Sequence, residues 1–330
     1  MKKSLIVLIA LMLTFTCLFA GCSSDPKEPA ATPKTALTPD EPAAPSDKIE
    51  VSVKKGKEYK EMVFGRFPAD AVKDEDLTDS LNAIPDTERD SVTGYYTYED
   101  TQYQKEFVIE KDPETKQDIT VIYWFEVQPI TWYVLDESDG KIMLTAKENV
   151  DARRFNETLE NTNWGISTLR DWLNGMGEYA GKNTSFYNSA FTAEEQSIIV
   201  TQDITTEANP KYGTAGGDAV KDRVTILSIE DLDKASSWSE EAFAPDDEGD
   251  VSLRACGNTD YAMFKGAADE VSYALRSSSW QWLRNMGSYE QNAAFIAESG
   301  ITMNAGYVVT FDQIGVRPVI VLNADYVTEK

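Results

Sequence analysis

The chain has 330 residues and a formal net charge of −25, from 31 basic and 56 acidic side chains, with no histidine and three cysteines. A field of that sign repels phosphate backbones and anionic headgroups, which excludes nucleic acid as a partner. The lack of histidine removes Ser-His-Asp and Cys-His catalysis and the usual zinc sites, leaving carboxylates, tyrosine, lysine or an oxygen-ligated metal for any chemistry.

Lys2 and Lys3 precede a mostly apolar run from Leu5 to Ala20, followed by Gly21 and Cys22. A basic start, a short apolar core and small residues before a cleavage point describe a secretory signal, because about 20 apolar residues are needed to span a bilayer. Leu18-Phe19-Ala20-Gly21-Cys22 resembles the lipobox of bacterial lipoprotein precursors. The resemblance implies that residues 1–21 are a removed signal peptide and that Cys22 is lipidated. The mature chain is then extracytoplasmic and anchored to the cell membrane, for which two buried acyl chains suffice. Residues 1–21 hold two lysines and no acid, so their loss takes the charge from −25 to −27.

Residues 22–48 read as the lipidated cysteine and a stalk. They carry Pro26, Pro29, Pro33, Pro39, Pro42 and Pro45 among small polar residues, with no aromatic ring. Such a segment is extended at about 3.1 Å per residue and buries no core.

Residues 49–330 read as one α+β domain with several strands, few short helices and long loops. Strands are expected at 62–67, 121–127, 130–135, 141–145, 223–227, 307–311 and 319–322, with Asp139-Gly140 as a tight hairpin turn. Ser167 caps a helix that Gly175 ends, Thr192 with Glu195 forms a capping box, and Ser228 with Asp231 is a second such pair. Cys256 is the one cysteine of this domain, so no internal disulfide is expected and the thiol is expected to be buried. The stretches 74–118 and 234–279 are polar, acidic and long enough to suggest functional loops.

Several phrases recur in order: Phe64-Gly65-Arg66-Phe67-Pro68; Val127 to Leu135; Trp164 with Ser167 to Asn174; Phe191-Thr192-Ala193-Glu194-Glu195; Leu227-Ser228; Trp282-Leu283-Arg284; and Gly315-Val316-Arg317-Pro318. Together, from about Val63 to Leu322, they resemble the secreted bacterial domain of unknown function 6273 found on Gram-positive surface proteins. Gln281-Trp282 stands where that family usually has a double tryptophan. The layout is also similar to C-type-lectin-like domains and the formylglycine-generating-enzyme fold. Activity does not follow from that likeness, because the formylglycine enzymes use paired cysteines and Cys256 has no partner.

Trp172, Trp282, Arg284 and Arg317 lie inside these phrases and are expected to be structural: large rings in the core and arginines holding carbonyls or a carboxylate. Trp238, Tyr261 and Trp280 lie in or beside the acidic loop and are expected to be ligand-binding rings. The segment Tyr95 to Tyr103 is the next candidate. Asp246 to Asp250 could offer oxygens to Ca²⁺ but lacks the full EF-hand pattern, so no cofactor or metal is expected, and no catalytic residue can be nominated. The reading is a lipid-anchored surface protein with a non-catalytic binding domain for an extracellular glycan or protein. The alternatives are a carboxylate-based hydrolase of a cell-surface or dietary polymer and a structural envelope component.

Overall fold

The computed structural model describes residues 34–40, 42, 45–55, 60–238, 253–268, 270–271 and 277–330. Among them the strands form a nine-stranded sheet, a five-stranded sheet and two short pairs, with short helices between: an α+β architecture. One strand, Asp118–Ser138, organises the larger sheet. It pairs antiparallel with Thr101–Lys111 over its first part and with Lys60–Ala71 over its second. It then turns through Asp139 (φ 50°) and Gly140 (φ 70°) into Lys141–Ala146, the two positive φ values that such a turn needs. The two strands expected at 121–127 and 130–135 are thus one, because Pro129 sits opposite Arg66 beside a slip in register that tolerates its missing donor.

The five-stranded sheet runs Thr302–Val308, Asn292–Ile296, Gln281–Met286, Gly315–Val316, Asp151–Ala152. Gly315-Val316-Arg317-Pro318 carries the chain from this sheet to the larger one. Gly315 and Val316 pair with Ala152 and Asp151, the Pro318 carbonyl accepts from the Ala146 N–H, and Val319 opens the next strand. Only glycine fits at the first position, since a Cβ on Gly315 would fall 2.1 Å from Asn149 Nδ2.

Six helices are described: α1 (Glu75–Asn82), α2 (Thr168–Asn174), α3 (Phe186–Ala190), α4 (Ala193–Ile198), α5 (Ile229–Trp238) and α6 (Asp260–Phe264). Ser167 Oγ accepts from the Arg170 N–H to start α2, and Gly175 at φ 65° ends it. Thr192 and Glu195 form the expected capping box on α4, and Ser228 and Asp231 bond reciprocally at 3.0 Å ahead of α5. No helix among the described residues is long and apolar enough to cross a membrane.

One expectation is corrected. Residues 74–118 are not one long loop, for they hold α1 and the strands Tyr96–Tyr98 and Thr101–Lys111. Asp74, part of an acidic run in the sequence, caps α1 by accepting from the Leu77 N–H at 2.8 Å. Charged residues on both faces of 101–111 hide its strand periodicity. One compact unit extends from Thr35 to Lys330, so that part of the segment expected as stalk packs with the domain. Pro39 is buried and Ala36 packs on the core. Arg170 Nη2 donates to the Leu37 carbonyl at 2.8 Å, and Arg223 Nη2 donates to the Asp40 carbonyl. A proline-rich segment looks solvated when read alone, but here arginines distant in sequence supply the donors for its carbonyls.

Candidate functional site

Two cavities share Tyr95, Asn183 and Ser189 in their walls and together make one cleft. The inner part, about 170 Å³, is lined by Glu106, Asp151, Arg153, Trp172, Tyr261 and Lys265 among others. The outer part, about 1040 Å³, is mixed: Thr93, Thr97, Gln102, Asn188, Thr192 and Gln196 share its wall with the apolar Val92, Ala190 and Phe191 and the charged Arg66, Asp100 and Glu195.

Arg153 is the most tightly held group of the inner part. It follows the edge strand Asp151–Ala152, its N–H donates to the Ile314 carbonyl at 3.3 Å, and its carbonyl accepts from Trp282 Nε1 at 2.8 Å. The guanidinium carbon stands 4.0 Å from the Trp172 ring centroid, and Nε donates to the Asp151 carboxylate at 3.3 Å. Among the described residues Nη1 and Nη2 make no hydrogen bond, and the side chain is 25% exposed. Burial is the largest influence and works against this charge, but Asp151, Tyr179 and Tyr261 together outweigh it, so its pKa is raised.

The nearby acids already have donors. Asp151 is buried and accepts from the Ala152 N–H at 2.7 Å as well as from Arg153. Glu106 accepts from Tyr261 Oη at 2.7 Å and Gln104 Nε2 at 3.3 Å, with Lys265 Nζ at 3.8 Å. Arg89 donates through Nε to the Gly94 carbonyl at 2.6 Å. Burial pushes the Tyr261 phenol well above its ordinary pKa, with Asp151 and Glu106 adding to the effect, and burial does the same for Tyr95. Both therefore stay protonated as donors. Tyr95 Oη is buried without a hydrogen bond of normal geometry; Ser189 lies beside it, but its hydroxyl donates to the Ser185 carbonyl at 2.7 Å.

The predicted residues fall in different places. Trp172 and Trp282 are buried and both hold Arg153, one through its ring face and the other through its indole N–H. Arg284 is buried, bonds Asp231 at 2.8 Å through Nη2 and donates to the Ile226 carbonyl. Arg317 is buried and donates to the Ala146 carbonyl at 2.6 Å and the Leu253 carbonyl at 2.8 Å. Tyr261 is not the exposed loop ring expected. Thr259 caps α6 there, and the ring packs edge-on against Phe67 and Phe125, while the residue lines the inner cavity and its hydroxyl donates to Glu106. Trp280 lies outside the cleft, half-buried among Phe295, Tyr307 and Phe311, with Nε1 donating to Glu298 at 2.7 Å. The Trp238 side chain, Cys22 and Asp246 to Asp250 lie outside the described residues. Arg153, Asp151, Glu106 and Gln104 escaped the sequence reading, since no local motif marks them; Tyr95 belongs to the tyrosine segment held as second candidate.

A separate cavity of about 330 Å³ lies among Asp70, Glu148 and Asp260. Gln128 Nε2 donates to Asp70 at 2.8 Å, and Lys73 Nζ is 3.1 Å from Asp260. Among the described residues no group of three or more Asp, Glu, Cys or His is placed to hold a metal ion.

No curated protein and no solved structure matches the chain. One family model, a domain of unknown function (DUF6273), matches residues 139–324. That span includes Asp151, Arg153, Trp172, Tyr261 and Lys265, whereas Arg89, Tyr95, Gln104 and Glu106 precede it, as do the phrases at 64–68 and 127–135 on which the wider resemblance was drawn. With more than half of its length matched, the chain belongs to the DUF6273 family.

Proposed function

We propose that this is a lipid-anchored bacterial surface protein whose lectin-like domain binds an extracellular glycan in the cleft, without catalysis. The single observation that carries the reading is the cleft's lining. Aromatic groups and neutral hydroxyl and amide side chains share one wall, and the carboxylates of the inner part are already hydrogen-bonded. Sugar hydroxyls need many neutral donors and acceptors beside flat apolar faces. The test is an array of bacterial and plant oligosaccharides and peptidoglycan fragments probed with the full chain in detergent micelles. A Gln104→Ala, Asn183→Ala double variant should weaken any binding by more than about 1 kcal/mol at an unchanged melting temperature. Wild-type binding by that variant would place the site elsewhere.

A second reading, hydrolysis, is favoured by one observation. Glu148 stands near Asp70 and Asp260 and its pKa is raised, burial being the larger cause, as a general acid requires. Release of new reducing ends from the same oligosaccharides by wild type but not by Glu148→Gln would make the protein an enzyme.

A further inference from the structure

Arg153 is unusual in being both fixed and open. Its backbone is bonded on both sides, its Nε is taken by Asp151, and one face lies on Trp172. Its outer N–H groups have no partner among the described residues, and the residue lines the inner cavity. Lys265 lines the same cavity, 5.7 Å from the Tyr261 ring centroid, and so does Arg89. Three cations thus line one cavity of a chain in which acids outnumber bases 56 to 31, Lys265 standing 3.8 Å from Glu106. The two acids beside them, Asp151 and Glu106, are hydrogen-bonded and turned to structural use.

An open guanidinium fork that is pre-oriented and partly desolvated matches a planar carboxylate through two parallel N–H···O bonds. We propose that the ligand of the cleft is an acidic saccharide and that Arg153 Nη1 and Nη2 receive its carboxylate, with Lys265 and Arg89 adding attraction. This rests on the reading of the cleft as a glycan site and makes it more specific. Because Trp282 and Asp151 fix Arg153 before any ligand arrives, little ordering cost opposes binding.

The experiment compares uronic-acid oligosaccharides, N-acetylmuramic acid and sialyllactose with their methyl esters, using the full chain in detergent micelles and isothermal titration. At least one acid should bind ten or more times tighter than its ester, with affinity falling as salt rises. Arg153→Gln should abolish that preference. Lys265→Gln, at a more exposed side chain, should reduce it severalfold at an unchanged melting temperature. If Arg153→Gln does not fold, Arg153→Lys replaces it, keeping a cation beside Asp151 but losing the fork. Acids and esters binding equally, or a preference that survives at Arg153, would overturn the proposal while leaving the glycan reading intact. No saccharide binding, or binding only of peptides with free C-termini, would overturn both.

Discussion

Arg170 and Arg153 are the same side chain put to opposite uses, and the difference lies in what their nitrogens touch. Arg170 is fully buried at the start of α2. Its Nε bonds Asp222 at 2.6 Å, Nη1 the Gly165 carbonyl at 2.9 Å, and Nη2 the carbonyls of Leu37 and Lys221 at 2.8 and 3.0 Å. Arg153 bonds one carboxylate, stacks on one ring and leaves its fork open to a cavity. Arg317 is intermediate: its Nη2 has no hydrogen-bond partner among the described residues, but the group is buried. Burial alone therefore does not separate a structural arginine from a binding one. The separating observation is whether open donors face space that a ligand can enter.

The comparison breaks most visibly at the Arg170 end. Asp222 accepts from both Arg170 and Trp164 Nε1, the latter at 2.7 Å, so Asp222→Ala leaves a buried guanidinium without its counter-charge. A loss of about 3–5 kcal/mol is expected from urea denaturation. A loss below about 1 kcal/mol would mean that the pair is not what holds α2. One conservative change made at both sites sharpens the contrast further. Arg170→Lys gives up several carbonyl bonds in a sealed place and should cost about 2–3 kcal/mol, whereas Arg153→Lys keeps a cation beside Asp151 and should cost under about 1 kcal/mol. Equal costs would erase the distinction between the two arginines.

Truncation ahead of Glu41 probes the strap over Arg170. Removing residues 35–40 takes the Leu37 and Asp40 carbonyls away from Arg170 and Arg223 and uncovers the surface that Pro39 buries against. A stability loss of about 1–2 kcal/mol should appear as a lower midpoint in the same denaturation, since two hydrogen bonds to charged donors are lost but water can replace the carbonyls. An unchanged midpoint would return the whole segment to the stalk.

The elements legible in the sequence are those whose cause is local. Ser167, Thr192 with Glu195, Asp139-Gly140 and Gly175 each act within a few residues, and each does in the structure what its neighbours require. The strap and the cleft are not local. Leu37 meets Arg170, Glu106 meets Tyr261, and Trp282 holds Arg153, across separations that no window along the chain can span. The packing of Tyr261 is not local either, because an acidic, glycine-bearing surrounding looks like loop although Thr259 starts a helix there and Phe67 and Phe125 cover the ring. That the fork of Arg153 is open is visible only in three dimensions.

The smallest expected effect concerns the cavity in which acids gather without an arginine. Glu148 is still largely open to solvent, yet its pKa is raised, first by burial and then by Asp70 and Asp260, with Lys147 pulling the other way. A carboxyl whose pKa is higher in the folded chain than in the unfolded one favours folding while protonated and opposes it once ionised. The penalty is therefore absent below the ordinary glutamate range, sets in as pH rises through the window between the unfolded and folded values, and is complete at neutral pH. Glu148→Gln should raise stability by a few tenths of a kcal/mol at pH 7, a small figure because solvent screens the exposed side chain, and by nothing near pH 4. Melting curves of both proteins across that range measure the difference directly. A variant less stable than wild type at pH 7 would show that the ionised carboxylate is held by a favourable partner, and the acid cavity would then resemble the Arg170 site more than the open cleft.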